Sequence, residues 1–270
     1  MKVDDPSVDL SDFPNFLIVG PQRTGTSWLY QNLFWHPEIL LSHPKELFFF
    51  NSLQSRGAKF RSDRLDWYLQ FFRNNSSSKS WLRKQELCIT KYREPYRPKM
   101  RGEATASYAY LDEEIIREIT ALNPGIRIIM MIRHPIDRAW SHAKRYFTKV
   151  HGRQLDHVTP EEMETFFRDP YQLACTQYVR NMDRWLSFIQ DDALFIGWFD
   201  DLHKNPRGLL LDIFTFLGVK TDEKYIRSDS ARVIGATLPV DIPQFYKVML
   251  ESLLAEDIHQ LENRFGVRLR

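Results

Sequence analysis

The sequence is short of the features that tie a protein to a special environment. Two cysteines in 270 residues, Cys88 and Cys175, are too few for a disulfide framework and form no C-x-x-C spacing, so a reducing compartment is the simpler setting. No apolar run approaches the ~20 residues that a membrane-spanning helix needs. Met1–Ser11 is acidic and polar, without the basic-then-apolar order of a secretory signal. The expectation is a soluble, cytoplasmic protein whose residues 1–12 form a flexible N-terminal segment. An excess of one charge is missing too: 37 Lys and Arg face 35 Asp and Glu, a net of +2, which gives no global case for nucleic-acid binding. There is no internal repeat, no linker rich in Gly, Pro or Ser, and no cluster with metal-ligand spacing, so residues 13–270 read as one domain. What the chain does have is 43% hydrophobic residues, enough to bury a sizeable core.

Phe16-Leu17-Ile18-Val19 is a short continuous apolar run, the pattern of a strand covered on both faces. It leads through Gly20 and Gly25 into a helical stretch, Thr26–Phe34. Asp112 is placed to cap a helix carrying Ile115, Ile116, Ile119 and Leu122, and a second buried strand follows at Ile126–Ile132. His134-Pro135 opens another helix. From Gln172 onward apolar residues recur at helical spacing to Ile189, a third strand spans Ala193–Phe199, and Asn205-Pro206 starts a helix that stops at Gly218. Alternating strands and helices predict an α/β fold with a parallel sheet flanked by helices. Asn74–Ser80 reads as a polar loop and Ile234–Pro243 as an irregular one.

The strongest local signal is Gly20-Pro21-Gln22-Arg23-Thr24-Gly25-Thr26-Ser27, between a strand and a helix. Glycines permit the tight turn, the helix N-terminus offers unpaired N–H groups to an anion, and Thr24, Thr26 and Ser27 add hydroxyls. The spacing imitates G-x-x-x-x-G-K-[ST], but Thr26 stands where that loop has its Lys, and the cation sits earlier, at Arg23. This argues against a P-loop kinase; an inert nucleotide-binding module is the other rival. A second candidate anion position is Arg133, a planar fork of donors at the C-terminal end of a parallel strand, where α/β folds bind ligands. Between Met130 and Arg153 six Lys and Arg stand against one acid, Asp137; Lys144 and Lys149 read as a solvated helix face.

Arg23-Thr24-Gly25-Thr26-Ser27-Trp28-Leu29 resembles the 5′-phosphosulfate loop of sulfotransferases that use 3′-phosphoadenosine 5′-phosphosulfate (PAPS). His36-Pro37-Glu38 and Lys45-Glu46-Leu47-Phe48-Phe49 are similar to the heparan-sulfate type of glycan sulfotransferase and its bacterial relatives, many of which carry Lys in place of Arg23. The resemblance runs in pieces from Phe16 to Val219. It implies PAPS as co-substrate without a metal, held at its 5′ end by the loop and at its 3′-phosphate by Arg133 and Ser141, as two separated cationic pockets. It also implies Trp28 and Tyr178 near the nucleoside, although each also fits a packing role, and Arg232 as the nearest match to a basic C-terminal loop. Glu46 is then the base that takes the acceptor proton, Arg23 the group facing charge on the leaving phosphate, and Lys45 its helper. Glu103, in a Gly-Glu segment common in the family, is expected to line the acceptor cleft and is the reserve base. The acceptor is expected to be a glycan, with polyketide, lipid or other small alcohols open. Arg83–Arg101, with seven Lys and Arg, two Glu and interleaved Trp and Tyr neighbours, suits a sugar or anionic acceptor.

Overall fold

Every residue of the first strand, β1 (Phe16–Ile18), is fully buried, as a strand covered on both faces requires. The computed structural model describes residues 9–54, 61–73, 79–232 and 234–269. Four more parallel strands complete one sheet: β2 (Ile39–Leu41), β3 (Met100–Ala104), β4 (Arg127–Ile132) and β5 (Leu194–Trp198), in the order β2-β3-β1-β4-β5. Leu17 lies opposite Glu103 on one side and Ile128 on the other.

Helix α1 (Thr26–Leu33) follows β1; α2 (Phe49–Gln54), α3 (Leu65–Leu69) and α4 (Lys79–Leu87) fill the passage from β2 to β3; α5 (Glu113–Leu122) precedes β4. Between β4 and β5 come α6 (Pro135–Arg145), α7 (Pro160–Arg168), α8 (Pro170–Ala174) and α9 (Tyr178–Leu186). The chain ends with α10 (Asp201–Lys204), α11 (Pro206–Leu217), α12 (Gln244–Leu253) and α13 (Ala255–Phe265). Strand alternation sends Leu17, Ile128, Met130 and Ile132 to a core shared with α2, α3, α5 and α9. It sends Phe16, Ile18, Ile129 and Met131 to the opposite core, under α1 and α11. A third core joins α6, α7 and α12.

The helix signals hold with two differences. Asn205 accepts from the Gly208 N–H at 3.0 Å, and Gly218 ends α11 at φ 68°. Asp112 stands at the N-cap of α5, but its side chain makes no cap bond; acidic Glu113 and Glu114 in the first turn suit the helix dipole instead. The single helix expected from Gln172 is broken into α8 and α9. Thr176 Oγ1 donates to Leu173 O at 2.7 Å and Asn181 Nδ2 to Ala174 O at 2.8 Å, occupying carbonyls at the break.

Ile234–Pro243 is irregular, as expected. Of the polar loop, Lys79 and Ser80 belong to α4, whereas 74–78 lies outside the described residues, as does 1–8 of the N-terminal segment. Both cysteines are buried, and they form no disulfide with each other. Among the described residues no helix is long and apolar enough to cross a membrane.

Candidate functional site

The chain leaves β1 for β2 at one side of the sheet, fills in β3, then crosses to β4 on the other side of β1. Loops leaving the C-terminal ends of β1 and β4 therefore start on adjacent strands about 4.8 Å apart, at the switch point where α/β folds bind ligands. This brings Arg23 and Arg133, 110 residues apart in sequence, into contact: Arg133 Nη1 donates to Arg23 O at 3.3 Å. A cavity of about 770 Å³ opens there.

Gly20 passes so close to β4 that a Cβ would lie 2.6 Å from the Met131 nitrogen. Gly25 caps α1 at φ 96° without a side-chain bond, leaving the helix N-terminus open to the cavity at Thr26, Ser27 and Trp28. Thr24 does not reach the cavity: it is fully buried, and its hydroxyl donates to Pro21 O at 2.7 Å, holding the turn from within. Arg23 lines the cavity from a left-handed backbone, φ 77°. Its Nε donates to Ser141 Oγ at 3.0 Å and its Nη2 to Gly235 O at 2.9 Å. The two expected pockets are thus not separated, because adjacent strands deliver both loops to one wall. Burial, then the nearby Arg145 and Arg133, pull the Arg23 pKa down to about 10.

On the β4 side, Arg133 lies 4.2 Å from the Phe199 ring centre, and its buried Nε has no hydrogen-bond partner. Its backbone N–H donates to Tyr178 Oη at 3.3 Å. Tyr178 is fully buried and supports Arg133 from behind, so it does not line the cavity where the nucleoside was expected. His134 caps α6, its Nδ1 accepting from Ile136 N at 3.3 Å. Lys144 corrects another expectation: it is buried, lines the cavity, and donates to Leu238 O and Val240 O at 2.9 Å each, pinning the irregular segment. Its spacing from Ser141, one helical turn, was the available signal. Lys149 is exposed, as expected. Burial drives the pKa of cavity-lining His142 down to about 3, with Arg138 adding repulsion, so its ring stays neutral. Phe199, Trp140 and Arg145 also line the site, and sequence pattern had singled out none of them.

Trp28 joins both its readings. It is 3% exposed yet touches the cavity, and its Nε1 donates to Ser230 O at 2.6 Å, holding the strip that leads to Arg232. Arg232 lines the cavity from an exposed position. Among the described residues, Arg23, Arg133, Lys144, Arg145, Arg232 and Lys247 face Glu46, Asp137 and Asp241 across the cavity, a field that favours an anionic ligand.

Glu46 reaches the same cavity from the loop after β2. It too is left-handed, φ 66°, with its N–H donating to Ala104 O at 3.1 Å. Strain of order 1 kcal/mol at a non-glycine φ of this kind persists where the surroundings impose it, and it clusters at functional sites. Lys45 Nζ donates to Glu46 Oε1 at 2.7 Å and does not itself line the cavity. Glu103 is not in an acceptor cleft. It points into the core on β3, fully buried, accepting from Tyr68 Oη at 2.7 Å and Thr105 Oγ1 at 3.2 Å, with further bonds from Tyr108 and the Leu47 backbone. Burial raises its pKa to about 7 against those donors. Its bond to Leu47 ties it to the residue after Glu46. Residues 83–101 contribute nothing to this cavity.

Residues 14–223 match the model of the sulfotransferase family. The chain belongs to that family. Among curated relatives, the bifunctional heparan sulfate N-deacetylase/N-sulfotransferase 2 of Homo sapiens is 28% identical over 231 residues, 80% of this chain and 23% of the relative. The corresponding enzyme 4 of Mus musculus is 27% identical over 227 residues, covering 78% and 23%. This sulfotransferase chain thus spans about a quarter of the length of the curated relatives it matches. Among solved structures, a sulfotransferase from Alicyclobacillus acidocaldarius superposes with a TM-score of 0.68 at 22% identity, covering 95% of this chain and 97% of that one. The sulfotransferase domain from the curacin biosynthetic pathway gives 0.50 at 16% identity, covering 89% and 97%. Both have the same fold.

Proposed function

We propose that this sulfotransferase moves the sulfuryl group of PAPS to a hydroxyl or amine of a carbohydrate. The observation that carries the reading is the convergence of Arg23, Arg133 and Ser141 on one wall of a cavity that Glu46 enters from another loop. The donor set fits a doubly phosphorylated nucleotide: an orphaned buried guanidinium nitrogen on Arg133, an open helix N-terminus and a surplus of cations. PAPS supplies the activated sulfuryl group. Arg133, Ser141 and Arg232 hold its 3′-phosphate, and Thr26 and Ser27 its 5′-phosphosulfate, with the Trp28 edge beside them. As the acceptor oxygen bonds to sulfur and the sulfur–bridging-oxygen bond breaks, Glu46 takes the acceptor proton and Arg23 faces the charge left on the phosphate. Lys45 positions the Glu46 carboxylate. No step in this scheme calls on a metal. Two buried cysteines that do not bridge each other suit a reducing, cytoplasmic setting.

A lipid or polyketide alcohol is the second reading, favoured by Phe245 and Val248, 66% and 54% exposed on α12 beside residues that line the cavity. Transfer of radiolabelled sulfate from PAPS to glycan and apolar-alcohol panels separates the two. Glu46→Gln is expected to keep 3′-phosphoadenosine 5′-phosphate (PAP) affinity within about twofold and to lose at least ~100-fold in turnover, the scale of general-base catalysis. Undiminished turnover overturns the base assignment, and failure to bind PAP overturns the whole reading.

A further inference from the structure

The basic and aromatic stretch 83–101 stays out of the main cavity but helps to build a second one. Arg83 from α4, with Lys91 and Tyr92 from the turn that follows it, meets Trp35, Arg227 and Asp229 around a pocket of about 270 Å³. Asp229 is occupied by Arg227, with both carboxylate oxygens 2.7 Å from guanidinium nitrogens. Arg83 and Lys91 have no carboxylate partner among the described residues. Tyr92 is 4% exposed, and its buried hydroxyl has no hydrogen-bond partner. A buried hydroxyl left unpaired is costly to the fold. The Lys91 ammonium lies 5.1 Å from the Tyr92 ring centre, and half-buried Trp35 adds a second aromatic surface.

Ring faces and two exposed cations, Arg83 and Lys91, without a carboxylate partner among the described residues suit a sugar ring bearing an acid group. Size narrows the choice. At about 270 Å³ the pocket falls below the roughly 300–1,000 Å³ of sites that enclose larger small molecules, so one sugar unit suits it better than a nucleotide. A short stretch of chain links the pocket to the main cavity. Asp229 lines the first, the Ser230 carbonyl is held by Trp28, and Arg232 lines the second. The five-residue step from Arg227 to Arg232 spans at most ~18 Å of backbone.

We propose that this pocket is an accessory subsite for a carboxylated or sulfated sugar unit of an extended glycan acceptor, another unit of which enters the main cavity. It rests on the glycan reading above. The test measures binding of a sulfated, uronate-containing hexasaccharide to the full chain by calorimetry, beside neutral maltohexaose and inorganic polyphosphate. Binding of the acidic hexasaccharide is expected to weaken at least tenfold in the Arg83→Ala, Lys91→Ala double variant and in Trp35→Ala, with PAP affinity and melting temperature unchanged in the double variant, whose two residues are exposed. The proposal falls if wild type does not bind the hexasaccharide or if the double variant binds it as tightly. It also falls if polyphosphate binds equally well through the same two residues, since the pocket then reads charge alone. Hexasaccharide binding that depends on Arg83 and Lys91 in a chain without sulfate transfer upholds the sugar site and refutes only the catalytic reading.

Discussion

Glu103 and Lys84 are both titratable and both buried, and because burial disfavours the charged form of each, their contributions to stability run in opposite directions with pH. Glu103 has its pKa raised by burial to about 7, against a usual 4.5. Between those values the folded chain keeps a proton that the unfolded chain releases, so this group's contribution to stability falls as pH rises from 4.5 to 7. Glu103→Gln removes that dependence but turns an NH₂ toward a site where hydroxyl and N–H donors converge. The expected outcome is a loss of about 1–3 kcal/mol in denaturant unfolding and a fall in kcat, with PAP affinity kept, because the Glu46 loop shifts. Lys84 is 6% exposed, its ammonium 3.8 Å from the Phe34 ring centre, and burial lowers its pKa to about 7 from 10.5. Between pH 7 and 10.5 the unfolded chain holds a proton that the folded chain lacks, so stability rises with pH across that window. Lys84→Met is expected to stabilise the fold by roughly 1–3 kcal/mol below pH 7, a gain that fades toward pH 10.5 in thermal melts taken across that range.

At the scale of elements, the β1–loop–α1 unit supplies one wall of the cavity, through Gln22, Arg23 and the start of α1. Gly20→Ala sets a Cβ 2.6 Å from the backbone of β4. Backbone cannot give way as a flexible side chain can, so a loss of about 1–3 kcal/mol and a weaker nucleotide site are expected together from urea melts and PAP titration. This unit was legible in sequence because a buried apolar run, glycines and hydroxyls occur in one short segment. Strands β2 and β3 were not. Ile39–Leu41 is too short for periodicity to register, and Met100–Ala104 carries Arg101, Gly102 and Glu103 in place of an apolar pattern. Gly102 is there because the Phe16 ring would lie 2.4 Å from any Cβ, a constraint visible only once the strands are paired. Arg133 was legible as a cation at a strand end, and its pairing with Ser141 came from the family resemblance. Tyr178 was found by resemblance but misplaced, since helical spacing alone does not say which residue lies behind a strand end. The same limit applies to Glu103, whose direction depends on the register of a strand that sequence pattern missed.

For the whole molecule, the C-terminal helices complete the core. Leu261 is fully buried in the cluster that holds Ile128 and Met130, and Phe265 packs 5.3 Å from Trp198 on β5. A chain ending at Leu254 is expected to lose roughly 2–4 kcal/mol from these two side chains, read as a lower melting temperature. The central position of β1 has a consequence for synthesis. Its neighbours are residues 100–104 and 127–132, so β1 has no partner until β3 has been made and lacks its second until β4 follows. Such distant pairing is slow to form and leaves an apolar edge open meanwhile. Nascent chains halted before Ile132 therefore have no partner for β1 on one side, and they are the stage at which this strand most needs a chaperone.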